Sequence, residues 1–200
     1  MAGTFPTANF KSINWQSNNN ILISETLTNK TFTKDLGGQF FSFTLKSVAL
    51  QREDFGPINA FITKQRGPFD TFNVVPPVVG TSSGTFVNSG GTNLAVDASA
   101  NAGDNIITVI PTGSGTLKAG DIIKFSNHDK VYMLVADTTL TNAVQNTIEI
   151  FPNLLTPLTT SHTVTTDSVP IKVRLNNEVQ EFKSDINGLY EYELDVSESL

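Results

Sequence analysis

The phenylalanines of this chain are unevenly distributed, and this limits how it can fold. Ten of the 14 precede the proline pair Pro76-Pro77. Residues 80–91, just after that pair, are rich in glycine, serine, threonine and asparagine, which favours loop and linker structure. We therefore predict two parts with different hydrophobic cores and a boundary near residue 78.

Composition excludes several classes of site. The chain has no cysteine, which rules out disulfides, iron–sulfur clusters and cysteine zinc sites, and its two histidines cannot form a three-histidine zinc site. A net charge of -6 disfavours non-specific nucleic-acid binding, which depends on lysine and arginine. No apolar run reaches the 18 or so residues of a membrane helix, and no signal peptide begins the sequence, so we expect a soluble chain with no membrane partner.

The first part shows strands and one convincing helix. Residues 21–24 and 41–46 read as strands, and the second alternates apolar and polar side chains, so one face should be core. Apolar residues at near-helical spacing predict a helix over about 53–66, with Gly67 as its end. Pro57 requires a start at about residue 53 or 54. Residues 69–75 predict a further strand that the proline pair ends.

The rest of the chain shows only strand and turn signals. Short strands are predicted at residues 105–110, 121–125, 130–135 and 147–151, which fits a small barrel or sandwich. Near the end, strands at 171–175 and 179–186 precede the hairpin signal Asn187-Gly188 and a final two-faced strand, residues 190–196. The predicted fold class is therefore mainly β with one helix.

No catalytic, cofactor or metal site emerges from the sequence. Glu191, Glu193 and Asp195 alternate on the last strand and could be paired carboxylates, but a solvated strand face explains them. His128 lies in a turn-like cluster beside Asp129, without a serine that any motif places, and we expect it to be exposed. We therefore expect a protein that is not an enzyme and that needs no cofactor.

The order of several short segments resembles a family of phage tail proteins. The segments are residues 38–45 (GQFFSFTL), a helix ending in residues 60–67 (AFITKQRG), residues 69–72 (FDTF) and the proline pair. Residues 169–174 (VPIKVR) and 189–196 (LYEYELDV) complete the pattern near the C-terminus. The chain thus resembles the minor tail protein M and distal tail protein family of tailed phages. Residues 117–125 and 130–132 resemble segments of larger phage tail proteins.

The resemblance implies a domain organisation and a function. Residues 1–77 and 169–200 would form a split β-sandwich, and residues 78–168 an inserted β-barrel or sandwich with a Gly-rich linker at 80–91. The chain would form a homohexameric ring at the tail tip or baseplate of the virion, after synthesis in the host cytoplasm. Its partners would be the tail tube and the baseplate or tip hub, with sheath, wedge or fibre proteins contacting the insert.

The same resemblance leaves the interface and the exact role open. DNA would pass through the ring without specific binding, since an acidic lumen repels phosphates. Candidate interface residues are those of the last hairpin and strand: Tyr190, Tyr192, Asn187 and Gly188. The alternatives are a tail tube or tail-terminator subunit, a carbohydrate-binding module that presents Tyr132 or Trp15 to sugar, and a glycosidase.

Overall fold

The computed structural model describes residues 3–6, 10–186 and 188–200. Over these residues the chain is mainly β with one α-helix, which confirms the predicted fold class. The elements in chain order are β1 (Phe10–Asn18), β2 (Ile21–Glu25), β3 (Thr31–Asp35), β4 (Phe40–Ser47), α1 (Arg52–Lys64), β5 (Thr71–Val74), β6 (Leu94–Val96), β7 (Ile106–Pro111), β8 (Gly115–Leu117), β9 (Ile122–Phe125), β10 (Val131–Leu134), β11 (Thr138–Leu140), β12 (Asn146–Phe151), β13 (Val164–Thr165), β14 (Ile171–Leu175), β15 (Phe182–Ser184) and β16 (Tyr190–Glu198).

The chain divides into two compact units. The split unit comprises Thr7–Phe69 and Arg174–Glu198, and the middle unit comprises Asp70–Val173 with the two chain ends. The division on the C-terminal side falls inside β14. The boundaries predicted at residues 78 and 168 stay a prediction.

The sheet of the split unit is centred on β4. This strand pairs antiparallel with β1 on one edge and with β16 on the other, and β15 also pairs with β16. Side chains alternate along β4 as its sequence predicts: Phe41, Phe43 and Leu45 are buried, whereas Lys46 is exposed. The same alternation in β16 buries Leu194 and Val196, so both strands contribute their apolar face to one core.

Helix α1 buries one apolar side, formed by Phe55, Ile58 and Ile62. It begins at Arg52, one residue earlier than the proline rule predicts, and Pro57 lies inside it. A proline there removes one backbone hydrogen bond, which the buried side must outweigh. After the helix Gly67 takes a φ of +64°, and a Cβ at this position would lie 3.1 Å from the Glu178 Cα, so glycine suits this end sterically as well.

The middle unit contains a nearly closed sheet. Its strand order is β13-β9-β10-β12-β7-β6. The two outer strands meet through a bridge between Ala95 and Thr163, and the Val96 N–H donates to the His162 carbonyl at 2.9 Å. Inside lies a continuous apolar cluster that includes Ile107, Phe125 and Tyr132. Closure removes exposed strand edges, which explains how strands this short form a stable core.

Some local features differ from what the sequence predicts. The strand predicted at 179–186 is limited to β15, and the one predicted at 69–75 is limited to β5 because Gly67–Phe69 form a 3-10 turn. Strand β1 was not predicted, since polar residues dominate it and only its pairing with β4 makes it a strand. The Gly-rich residues 80–91 are irregular but packed: Phe86 is buried, and the Asn88 side chain donates to the Val164 carbonyl at 2.7 Å.

Candidate functional site

An aromatic cluster joins the helix to the last hairpin of the split unit. The Phe55 ring stacks on Tyr190 at a centroid distance of 4.8 Å and an interplanar angle of 6°. Phe182 packs against the same ring at 5.0 Å, and Tyr192 at 6.1 Å. Two predicted interface residues, Tyr190 and Tyr192, thus hold α1 against β15 and β16 within their own chain.

The Tyr192 side chain is the most unusual member of this cluster. It is only 6% exposed, and its hydroxyl group has no hydrogen-bond partner. Burial raises the pKa of Tyr192 to about 12, because the charged phenolate is disfavoured away from water. The backbone N–H of Tyr192 donates to the Ser47 Oγ at 3.0 Å, which fixes the strand beneath the ring.

A third predicted interface residue, Gly188, lies at the turn of the hairpin. Gly188 takes a φ of +76° and donates its N–H to the Asp185 carbonyl at 3.1 Å, so the turn uses glycine for its backbone conformation. Asn187 lies outside the described residues. Strand β16 pairs with both β4 and β15, so any contact that it makes with a second chain would use side chains. The interface role of these four residues stays a prediction.

Beside this hairpin the split unit carries a surface cavity of about 570 Å³ with acidic walls. We call it the acidic groove and define it by four carboxylate residues and one apolar residue: Glu178, Glu181, Glu193, Asp195 and Val179. A second cavity of about 350 Å³ shares Glu181 and Glu193 with it. Glu193 also forms an ion pair of 3.1 Å with Lys46. The expected solvated face of β16 thus forms part of a shaped, negatively charged surface.

A β-hairpin stands out from the split unit. All residues from 19 to 38 are exposed, and we call this segment the arm. Strands β2 and β3 pair with each other, and the Leu36 N–H donates to the Asn20 carbonyl at 2.9 Å, so the arm continues the ladder between β1 and β4. Its exposed large apolar residues are Ile21, Leu22, Ile23, Leu27, Phe32 and Leu36. Sequence reasoning predicted strand at 21–24 but no role, because the same apolar run would suit a buried strand.

In the middle unit, Asp129 lies between two lysines. Its Oδ1 accepts from Lys124 Nζ at 3.0 Å and its Oδ2 from Lys172 Nζ at 2.9 Å. Burial alone would raise the pKa of Asp129, but the hydrogen bonds from Lys172 and Lys124 outweigh it and hold the pKa below its usual value. These two ion pairs connect the turn after β9 to β9 itself and to β14, so we assign Asp129 a structural role.

His128 is half-buried, and the expectation that it is exposed is therefore wrong. Its Nδ1 lies 2.6 Å from the Asn127 Oδ1, and its Nε2 lies 2.7 Å from the Tyr132 hydroxyl, which also accepts the Leu155 N–H at 3.0 Å. These contacts suit a neutral ring that donates through Nδ1 and accepts through Nε2. Burial, followed by the charge of Lys124, lowers the pKa of His128 to about 4.

This network makes the stability of the middle unit depend on pH. The folded-state pKa of His128 lies below the unfolded value of 6.5. Its contribution to the free energy of unfolding is therefore fully present above pH 6.5 and decreases as the pH falls towards 4, where the unfolded chain binds a proton that the folded chain does not. We expect a loss of about 1 to 2 kcal/mol from this group, allowing for solvent screening. Chemical denaturation between pH 7 and 4 measures it. His128→Gln should reduce the slope of stability against pH, and a slope equal to that of the wild type would contradict the assignment.

The structure also places the aromatic residues of the carbohydrate alternative. Tyr132 is fully buried, so the prediction that it could present its ring to sugar is wrong. Trp15 is half-buried and packs on Phe41 and Phe43 at centroid distances of 5.0 and 5.2 Å. Over residues 3–6, 10–186 and 188–200 no group of three or more His, Asp or Glu side chains could hold a metal ion. No helix in the described part of the chain is long and apolar enough to cross a membrane.

A comparison with protein-family models finds a match in the middle of the chain. Residues 78–169 match the family model described as distal tail protein pb9, B domain. No curated protein matches the chain. The match covers less than half of the chain and supports a structural role in a phage tail. More specifically, it supports a relation to the phage distal tail proteins. The resemblance to minor tail protein M and the insertion of the middle part remain predictions.

Proposed function

We propose that this chain is the ring-forming subunit of a phage tail tip, without enzymatic activity. Six copies would surround the channel between the tail tube and the baseplate or tip hub, with the middle unit directed towards sheath, wedge or fibre proteins. The observation that carries the proposal is the match of residues 78–169 to the B domain of a distal tail protein. A family of tail proteins implies contacts with other tail components.

The split unit has features that suit self-assembly. Its arm exposes an apolar surface, and such surfaces on soluble proteins mark contact sites for other molecules. The net charge of -6 on each copy would be multiplied sixfold in the ring. Where those charges face the channel, they would repel DNA phosphates, so the genome would pass without binding.

The proposal is tested by measuring the mass of the assembled protein. Mass photometry over a concentration series should show a species near six times 21.6 kDa, and negative-stain images of it should show closed rings. Long tubes in those images would instead identify a tail tube subunit. A persistent monomer at all concentrations would contradict self-assembly of this chain.

A further inference from the structure

The arm is joined to its unit through the ladder that continues from β1 and β4, and no described side chain of its own chain covers either of its faces. Every residue from 19 to 38 is exposed, and a two-stranded hairpin without a packed face is marginally stable in water at best. Six large apolar side chains lie on this short ribbon. Such an apolar ribbon gains stability when a second surface covers it.

The two faces of the arm differ in charge. Cross-strand pairing puts Leu22 opposite Lys34 and Ser24 opposite Phe32 on one face, and the Lys30 Nζ lies 5.1 Å from the centroid of the Phe32 ring. We call this the basic face. The opposite face carries Ile21 and Ile23 together with the carboxylates of Glu25 and Asp35. One strand register therefore produces a basic apolar face and an acidic apolar face.

The acidic groove is complementary to the basic face. Its charged lining residues among those described are all carboxylates, and Val179, which is 72% exposed, gives it an apolar contact point. The adjoining cavity, which contains the exposed Phe182, is also lined by Lys11, Lys46 and Lys183, so the acidic surface is limited to the groove itself. The groove offers negative charge beside the exposed Val179, and the basic face of the arm offers positive charge beside Leu22 and Phe32.

We propose that the arm of one copy docks with its basic face in the acidic groove of the next copy. Both surfaces belong to the same chain, so a second copy supplies the complement that each requires. The arm and the groove are different surfaces, and a contact between different surfaces repeats from copy to copy and closes into a ring when the rotation allows it. This inference rests on the proposed self-assembly and names the surfaces that make it.

The absence of cysteine allows a direct test in the full chain. Leu22→Cys and Val179→Cys are made separately, mixed and oxidised. We expect a disulfide-linked species of about twice 21.6 kDa. The matched control is Ile23→Cys, because residue 23 is as exposed as residue 22 but lies on the opposite face (66% and 55%). Its cross-linking to Val179→Cys should be at least about tenfold slower, which corresponds to about 1.4 kcal/mol in preference.

Charge reversal in these cysteine variants tests whether the docking depends on the opposite charges of the two surfaces. Lys34→Glu in the Leu22→Cys variant should reduce the cross-linking rate about fivefold, and Glu181→Lys in the Val179→Cys partner should restore it. Equal rates for residues 22 and 23, or no rescue, would overturn the docking.

Placing Leu22→Cys and Val179→Cys in one chain separates the docking from the ring. A ladder of linked species that ends at a closed ring supports both. Rings in the images without this cross-link would refute the docking and retain the proposed function, whereas linked dimers that never form rings would refute the hexameric ring and retain the docking.

Discussion

Replacing Leu45 by alanine should lower the free energy of unfolding by about 2 to 5 kcal/mol. Leu45 is fully buried at the centre of the sheet in the split unit, opposite Ile13 of β1 and Leu194 of β16. Shortening the side chain loses its transfer free energy and leaves a cavity between three strands that cannot close fully. Urea denaturation should show a lower midpoint with an unchanged slope.

The matched control applies the same substitution to the arm. Leu27 is fully exposed, so Leu27→Ala should change the free energy of unfolding by less than about 0.5 kcal/mol when the protein is too dilute to assemble. A loss at Leu27 equal to that at Leu45 would show that the arm packs against its own chain, contrary to the structure.

Replacing Gly84 by alanine should cost about 3 kcal/mol of stability in the middle unit. A Cβ at residue 84 would overlap the Thr116 carbonyl oxygen and lie 2.9 Å from the Thr116 carbonyl carbon. These are backbone atoms of β8, so no side-chain rotation relieves the overlap. Separation of the two segments would also break the hydrogen bond of 2.9 Å from the Thr116 N–H to the Thr85 Oγ1.

Gly56→Ala is the control for this substitution. Gly56 lies in α1, and apart from its chain neighbours and the backbone of its own helix nothing described lies within 4 Å of the Cβ that alanine would add. Alanine has the higher helix propensity, but Pro57 crowds a Cβ on the preceding residue in a helix, so Gly56→Ala should change stability by less than about 1 kcal/mol. Thermal unfolding by calorimetry distinguishes the two outcomes, and a stabilised Gly84→Ala variant would show that residues 84 and 116 are farther apart than described.

The strands and the helix with regular patterns were predictable from local sequence. The alternation in residues 41–46 and 190–196 predicted β4 and β16 together with their buried faces, because successive side chains of a strand point to opposite sides. The apolar spacing around Phe55 predicted α1 to within two residues at each end. The order of these segments also carried the resemblance to phage tail proteins, and the match of residues 78–169 supports the distal tail part of it.

The candidate site depended on contacts that no local pattern encodes. The apolar run at residues 21–23 reads as a core strand, yet it lies on the exposed arm because none of the described elements of its unit covers it. His128 occurs in a turn, where exposure is the usual outcome, but Tyr132 and Asn127 enclose it.

The sequence by itself determined the mainly β class, the single convincing helix and the absence of cysteine chemistry, since these follow from composition and from the short-range geometry of strands and helices. Only the tertiary structure decided which apolar residues are covered, which carboxylates meet in the acidic groove and why residue 84 has to be glycine. The reason is physical: periodicity is set by neighbouring residues, whereas burial and charge environment are set by segments far apart in the chain.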